Sequence, residues 1–268
     1  MKTTEVLLSS ATTLPSTKKA FKLAAELQFD GLEIMPYRWT TVKQIADLAV
    51  SHSVPVRGVH FPFWWYTKPL WQVIASEQSP REWIYACIWW ILFGPGHLGC
   101  SARKIMAVCP EAYCLIHPDT FAQCPSPEYF FFRQWDLFLE NERPKKGEPA
   151  ITHDPFQIHG HSRQLKSNFY RAKLMLDPGH IQIAQQMGKL PERTIAELFR
   201  ELKPEGLHLS FSGEGRLHDL PTDREWRPLA EAIKEYPPEF IVVETKPGPE
   251  SFKRVAQGRA ILRRDLDI

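Results

Sequence analysis

Leu174-Met175-Leu176-Asp177-Pro178-Gly179-His180 is a short apolar run closed by a carboxylate, a Pro-Gly turn and an imidazole. A run this short, cut off by Pro-Gly, reads as a buried strand rather than a helix, with its ionisable residue at the C-terminal end. The same form recurs on both sides of it. Val56-Arg-Gly-Val-His60, Tyr113-Cys-Leu-Ile-His117 and Trp135 to Glu140 precede it, and Gly206-Leu-His208-Leu-Ser210 and Phe240-Ile-Val-Val-Glu244 follow. Two further apolar runs, Val6 to Ser9 and Leu32 to Met35, stand nearer the N-terminus, which makes eight candidate strands.

Segments of helical period separate these runs. Ser16 to Leu27 places Ala20, Phe21, Leu23, Ala24 and Leu27 on one face, and Val42 to Ser51 does the same with Ile45, Leu48 and Ala49. Further helices are expected over Pro191 to Leu202, Asp223 to Tyr236 and Glu250 to Asp265, the last following the eighth strand. Alternating strand and helix is the pattern of an α/β protein built around a parallel sheet. No Gly-x-Gly-x-x-Gly turn follows the first strand, so the expected form is a closed (β/α)8 TIM barrel rather than an open dinucleotide-binding sheet. Two connections depart from it. Phe61 to Ala112 is long and Trp-rich, and Pro118 to Gln134 carries three prolines and little helical period. No repeat, Gly/Ser linker or composition shift divides residues 1–268, which read as one domain.

Composition narrows the function classes. The chain has 268 residues, 43% hydrophobic and 24% charged, enough to bury a large core without disulfide staples. Lys plus Arg number 33 and Asp plus Glu 31, a net +2 that disfavours bulk nucleic-acid or membrane-surface binding. Five cysteines with no Cys-x-x-Cys pair argue against a disulfide framework and a zinc knuckle, and read as reduced thiols in the cytoplasm. The longest apolar run, Ile84 to Phe93, is about half the ~20 residues a membrane span needs, and Met1 to Pro15 lacks a signal-peptide core.

In a barrel the strand C-termini form the active face. Six consecutive strands carry an ionisable residue at or near that end: His60, His117, Glu140, Asp177 with His180 three residues on, His208 and Glu244. One such histidine alone is most simply a capping or solvated side chain. Carboxylates and imidazoles converging on one rim would desolvate or repel one another without a cation, so the six together point to a divalent metal site.

On these residues the sequence resembles the xylose-isomerase-like TIM barrels, which include sugar isomerases and epimerases together with the apurinic endonuclease IV family. The resemblance runs from Glu5 to about Leu262, carried by Leu139-Glu140-Asn141, Asp177-x-x-His180, His208-x-Ser210 and Val243-Glu244. It implies a metal held by Glu140, Asp177, His208 and Glu244, as in the isomerases. The additional histidines of the multinuclear endonuclease site fall on His60, His117 and His180. The endonuclease's Asp-x-His pair after the seventh strand falls on Arg216-Leu217-His218, so His218 carries over and Arg216 replaces the Asp.

Two chemistries fit this rim. As an isomerase or epimerase, the reading placed first, one Mn²⁺, Mg²⁺, Co²⁺ or Zn²⁺ ion would polarise a sugar carbonyl. Glu140 and Glu244 would then move a proton between carbons through an enediolate, with His180, Arg216, His60 and His117 on the substrate. As a phosphodiesterase, His60 and His117 would join Glu140 in holding a second ion. Near-zero net charge, Arg216 and the lack of a basic, aromatic stripe weigh against a nucleic-acid substrate and for a small sugar. Lesser features are Tyr37-Arg38-Trp39 as a phosphate or ring contact and Arg143-Pro-Lys-Lys-Gly147 as a solvated loop or polyanion contact. The aromatics Phe61, Phe63, Trp64, Trp65, Tyr66 and Trp71 read as a sugar platform, and Trp83 to Trp90 as a lid or homo-oligomer interface. His97, His153, His159 and His161 receive no role.

Overall fold

The computed structural model describes residues 4–14, 16–36, 40–61, 84, 87, 104–118, 136–142, 144, 153–160, 172–213 and 216–268. Strands β1 (Glu5–Ser9), β2 (Gly31–Ile34), β3 (Val56–His60), β4 (Tyr113–Ile116), β5 (Leu137–Glu140), β6 (Ala172–Leu176) and β7 (Gly206–Leu209) belong to the barrel. A hairpin of β8 (Phe211–Gly213) and β9 (Arg216–Asp219) comes next, and then the eighth barrel strand, β10 (Phe240–Val243). The eight strands close in the order β1-β10-β7-β6-β5-β4-β3-β2, all pairs parallel. The expected TIM barrel is the observed architecture.

Period-2 alternation divides the strand residues into two cores. Val6, Leu8, Leu32, Ile34, Val59, Cys114, Ile116, Leu139, Leu174, Leu176, Leu207, Leu209, Ile241 and Val243 face outward into one continuous apolar layer shared with the helices. Leu7, Tyr113, Leu115, Phe138, Met175 and Val242 fill the barrel itself. Two glycines make room for that filling. A Cβ on Gly58 would lie 2.4 Å from the Tyr113 ring, and one on Gly206 would lie 2.6 Å from Met175 Sδ.

The helices begin where the sequence offers a cap. Ser16 accepts from the Lys19 N–H to start α1 (Thr17–Glu26), and Thr41 from the Gln44 N–H to start α2 (Val42–His52). Helix α3 (Pro178–Gln186) follows β6, and α4 (Ile195–Leu202) opens on a Thr194/Glu197 capping box. Two more are α5 (Asp223–Glu235) and α6 (Ser251–Leu266), and residues 104–108 and 155–160 are helical as well. Neither α3 nor the β8–β9 hairpin is expected from apolar period. Helix α3 is announced instead by its terminus, with Asp177 as N-cap and Pro178 in the first turn. Among the described residues no helix is long and apolar enough to cross a membrane.

Phe61 corrects one expectation. It follows the inward-facing His60, so it points the other way and packs into the outer apolar layer rather than lining a sugar platform. The rest of that platform, Tyr37 to Trp39, Trp83, Trp89, Trp90 and Arg143 lie outside the described residues.

Candidate metal centre at the barrel rim

The inward-facing residues one layer above Tyr113 and Phe138 are polar. His60 and Glu140 are the last residues of β3 and β5, and His117, Asp177 and Glu244 directly follow β4, β6 and β10. His208 projects from β7. All six predicted rim positions therefore come together at the C-terminal mouth. His60, His117, Glu140, Asp177 and His208 are each no more than 3% exposed.

One group centres on two histidines. His60 Nε2 and His117 Nε2 are 3.0 Å apart, and each lies 3.4 Å from Glu140 Oε2. Ligand bonds of about 2.0–2.2 Å in tetrahedral geometry require donor–donor edges of roughly 3.3–3.6 Å, so this triangle is near the size that holds an ion. A second group surrounds His208 Nδ1, which lies 2.6 Å from Glu140 Oε1, 3.6 Å from Glu244 Oε2 and 3.7 Å from Asp177 Oδ2. Glu140 belongs to both groups, one carboxylate oxygen to each. A third joins Asp177, His180 and His218, whose donor atoms lie within 4.8 Å of one another. Arg216 opens β9 opposite Gly213, and its side chain lies outside the described set.

The backing of these groups is equally specific. Asp177 accepts the His180 N–H through Oδ1 at 3.0 Å, while its backbone and the Asn141 amide exchange hydrogen bonds of 2.8 and 2.9 Å. His180 Nδ1 lies 2.8 Å from the Asn141 carbonyl. A carbonyl can only accept, so Nδ1 donates, and in the neutral ring Nε2 is the nitrogen with the lone pair. His218 Nδ1 pairs with Ser210 Oγ at 2.9 Å. Glu33 Oε1, Glu140 Oε2, Asp177 Oδ2 and Glu244 Oε2 are buried without a hydrogen bond, as expected of carboxylate oxygens gathered around a cation site. The donor set fits a divalent ion.

Charge is tightly coupled here. Burial pushes the Glu244 carboxyl up, and Glu140 and Glu33 add to the push, so that it reaches about 7 against the opposing pull of His208 and His60. Burial also raises Asp177, but His180, His208 and His218 outweigh it and bring its carboxyl down to about 2. Burial lowers His208, yet Glu140, Glu33 and Asp177 hold its imidazolium well above the ordinary range; His60 is raised by Glu33 and Glu140 in the same way.

Two buried carboxylates were not anticipated. Glu33 lies within β2, fully buried, with Oε2 accepting the Tyr113 hydroxyl at 2.6 Å. Glu142 lies 4.0 Å from His117 Nδ1. The signal for Glu33 was a lone carboxylate inside an otherwise apolar strand; it escaped notice because it does not end the strand.

No family model and no curated protein sequence matches this chain. Solved structures do. An AP endonuclease, family 2, from Brucella melitensis superposes with a TM-score of 0.60 at 14% identity, covering 95% of this chain and 98% of that one. A 3-keto-D-glucoside 4-epimerase from E. coli gives 0.57 at 10% identity over 99% and 100% of the two chains. A xylose isomerase domain containing protein from Salmonella typhimurium LT2 gives 0.56 at 10% over 98% and 96%. The fold these structures share with this chain is the (β/α)8 barrel. Similarity at this identity speaks for the fold alone, and a fold does not set the reaction.

Proposed function

We propose that this protein is a divalent-metal-dependent enzyme that holds two ions side by side across Glu140 and hydrolyses a phosphoester. The observation that carries this reading is the triangle of His60 Nε2, His117 Nε2 and Glu140 Oε2, with edges of 3.0 to 3.4 Å, beside the separate cluster around His208. In the single-ion isomerase reading His60 and His117 would contact substrate, and their nitrogens would not need to close on Glu140 Oε2 at ligand spacing. In this reading His60, His117 and Glu140 hold one ion, and Glu140, Asp177, His208 and Glu244 hold the other. Asp177, His180 and His218 form a further donor group. The imidazole-rich position suits Zn²⁺, and the carboxylate-rich one also accepts Mn²⁺, Mg²⁺ or Co²⁺. Paired ions supply Lewis acidity toward a phosphoryl oxygen and a nucleophile at neutral pH.

The protein's own part is to fix donors and exclude water. Glu140 would contribute one oxygen to each position, and Asp177 keeps one oxygen in the α3 cap so that the other faces His208. The apolar filling beneath, with Tyr113 and Phe138, blocks solvent from below. The second reading, a one-ion sugar isomerase or epimerase, uses Glu140, Asp177, His208 and Glu244. It is favoured by the carboxylate-rich set around His208, which by itself makes a complete four-donor site.

Elemental analysis of purified protein, with turnover of bis(p-nitrophenyl) phosphate, separates the two. Two or three ions per chain with phosphodiester hydrolysis is the expected result. One ion per chain, with exchange of a carbon-bound proton of a keto-sugar into deuterated solvent and no hydrolysis, would replace the first reading by the second.

Ion uptake is also expected to release protons. His208 and His60 hold theirs above the ordinary imidazole range in the ion-free protein, and a ligating imidazole must be neutral. Affinity should therefore fall as pH drops below those raised values and level off above them. Zn²⁺ titration calorimetry at pH 7 in two buffers of different ionisation enthalpy should give net release of about one proton or more per chain. Equal apparent enthalpies in the two buffers would contradict it.

A further inference from the structure

We infer that Glu33 is a positioning residue shared by both ion positions, a single buried carboxylate that fixes which nitrogen His60 and His208 each turn toward the rim. This rests on the proposed ion sites. Glu33 Oε1 lies 3.5 Å from His60 Nδ1, and Oε2 lies 3.3 Å from His208 Nε2. Each of these is the ring nitrogen away from the cluster: His60 faces His117 and Glu140 with Nε2, and His208 faces Glu140, Asp177 and Glu244 with Nδ1. The two histidines thus present opposite nitrogens, and the carboxylate between them explains both choices.

An ionised carboxylate only accepts, so it selects the Nδ1–H form of neutral His60 and the Nε2–H form of neutral His208. That leaves a lone pair on each donor atom that faces an ion. The Tyr113 hydroxyl supplies a third donor from below, and Gly58 leaves room for the Tyr113 ring. Glu33 therefore ties the barrel filling to both halves of the rim. Its other reading is as a direct ligand, since its donor atoms lie within 4.8 Å of those of His208 and Glu244. The hydrogen bond from Tyr113 and the backing position under both rings favour the positioning role.

Glu33→Gln keeps the shape but changes the chemistry: its amide can accept from one ring, whereas its NH₂ group donates and opposes the required tautomer of the other. Competition titrations with Zn²⁺ against a chromophoric chelator should show affinity at one position or both falling about 10- to 100-fold. The X-ray absorption coordination number with Co²⁺ at saturation should remain that of the unaltered protein. Tyr113→Phe, which removes one donor to Glu33 and no tautomer constraint, should lose less than about 10-fold. Independently of any variant, ¹⁵N NMR of histidines in the Zn²⁺-loaded unaltered chain should show His60 protonated at Nδ1 and His208 at Nε2.

The opposite tautomer at either histidine overturns the inference. So does unchanged Zn²⁺ affinity at both positions in folded Glu33→Gln, or a Co²⁺ coordination number lower by one, which would make Glu33 a ligand. An unaltered chain that takes up no Zn²⁺ or Co²⁺ overturns the metal reading as well, and is thereby distinguished from failure of the role of Glu33 alone.

Discussion

Glu140→Gln is expected to lower turnover by at least about 10³-fold and to cost the protein both bound ions, while the barrel still folds. Glu140 gives Oε2 to the His60–His117 pair and Oε1 to His208, so among the described residues it is the proposed ligand common to both positions. Several kcal/mol of transition-state stabilisation depend on such ions, and each ~1.4 kcal/mol is a factor of ten in rate. A glutamine places NH₂ hydrogens where a cation or an imidazole lone pair must be met. The paired control is Glu244→Gln, which touches the His208 group only and should lose one ion and keep the other. Elemental analysis and turnover of the two variants, with circular dichroism for the fold, decide the matter. If Glu140→Gln retains both ions, the shared-carboxylate arrangement is wrong. If the two variants lose the same single ion, His60 and His117 belong to no ion site.

The barrel was legible because its strands end abruptly. Leu174 to Asp177 and Ile241 to Glu244 pass from full apolarity to a carboxylate in one step, which marks both the strand and its functional end. The expected ends overrun the paired segments by one residue at Met35, His117, Asp177, Ser210 and Glu244, and of these His117, Asp177 and Glu244 leave the ladder to join the rim. Short elements specified by termini were harder to see. Helix α3 has a weak apolar stripe and exists because Asp177 caps it, so one residue closes a strand, starts a helix and faces the rim.

The site was legible as a set of residue types, and its division was not. Sequence order places Glu140 between His117 and Asp177 in the list of strands, but only the closed barrel shows that its two oxygens face different partners. Glu33 was hidden for a related reason. A carboxylate inside a strand gives no hint of whether it faces the filling or the helices until the alternation of β2 is fixed by pairing with β1 and β3.

Phe138→Ala tests whether the filling below the rim is as tightly built as the rim itself, and is expected to cost about 3–5 kcal/mol of stability. Phe138 is fully buried, with its ring centroid 4.8 Å from that of Tyr113 and 5.8 Å from that of Phe240. The lost transfer energy is only part of the cost. Strands hydrogen-bonded into a closed ring cannot move inward to fill the void, so most of the cavity should persist. Tyr113, whose hydroxyl holds Glu33, would keep only its ring contact with Phe240, so the cavity should also loosen both histidines that Glu33 backs. Urea unfolding of the ion-free protein should show the midpoint falling with little change in slope. Saturating Zn²⁺ should recover part of the loss, about 2.7 kcal/mol at a free concentration 100 times the Kd, because the ions bind only the folded chain. A variant with an unchanged midpoint would mean that the barrel filling closes over the gap. A variant destabilised by this amount whose Zn²⁺ affinity is unaltered would separate the filling from the rim and confine Tyr113 to packing.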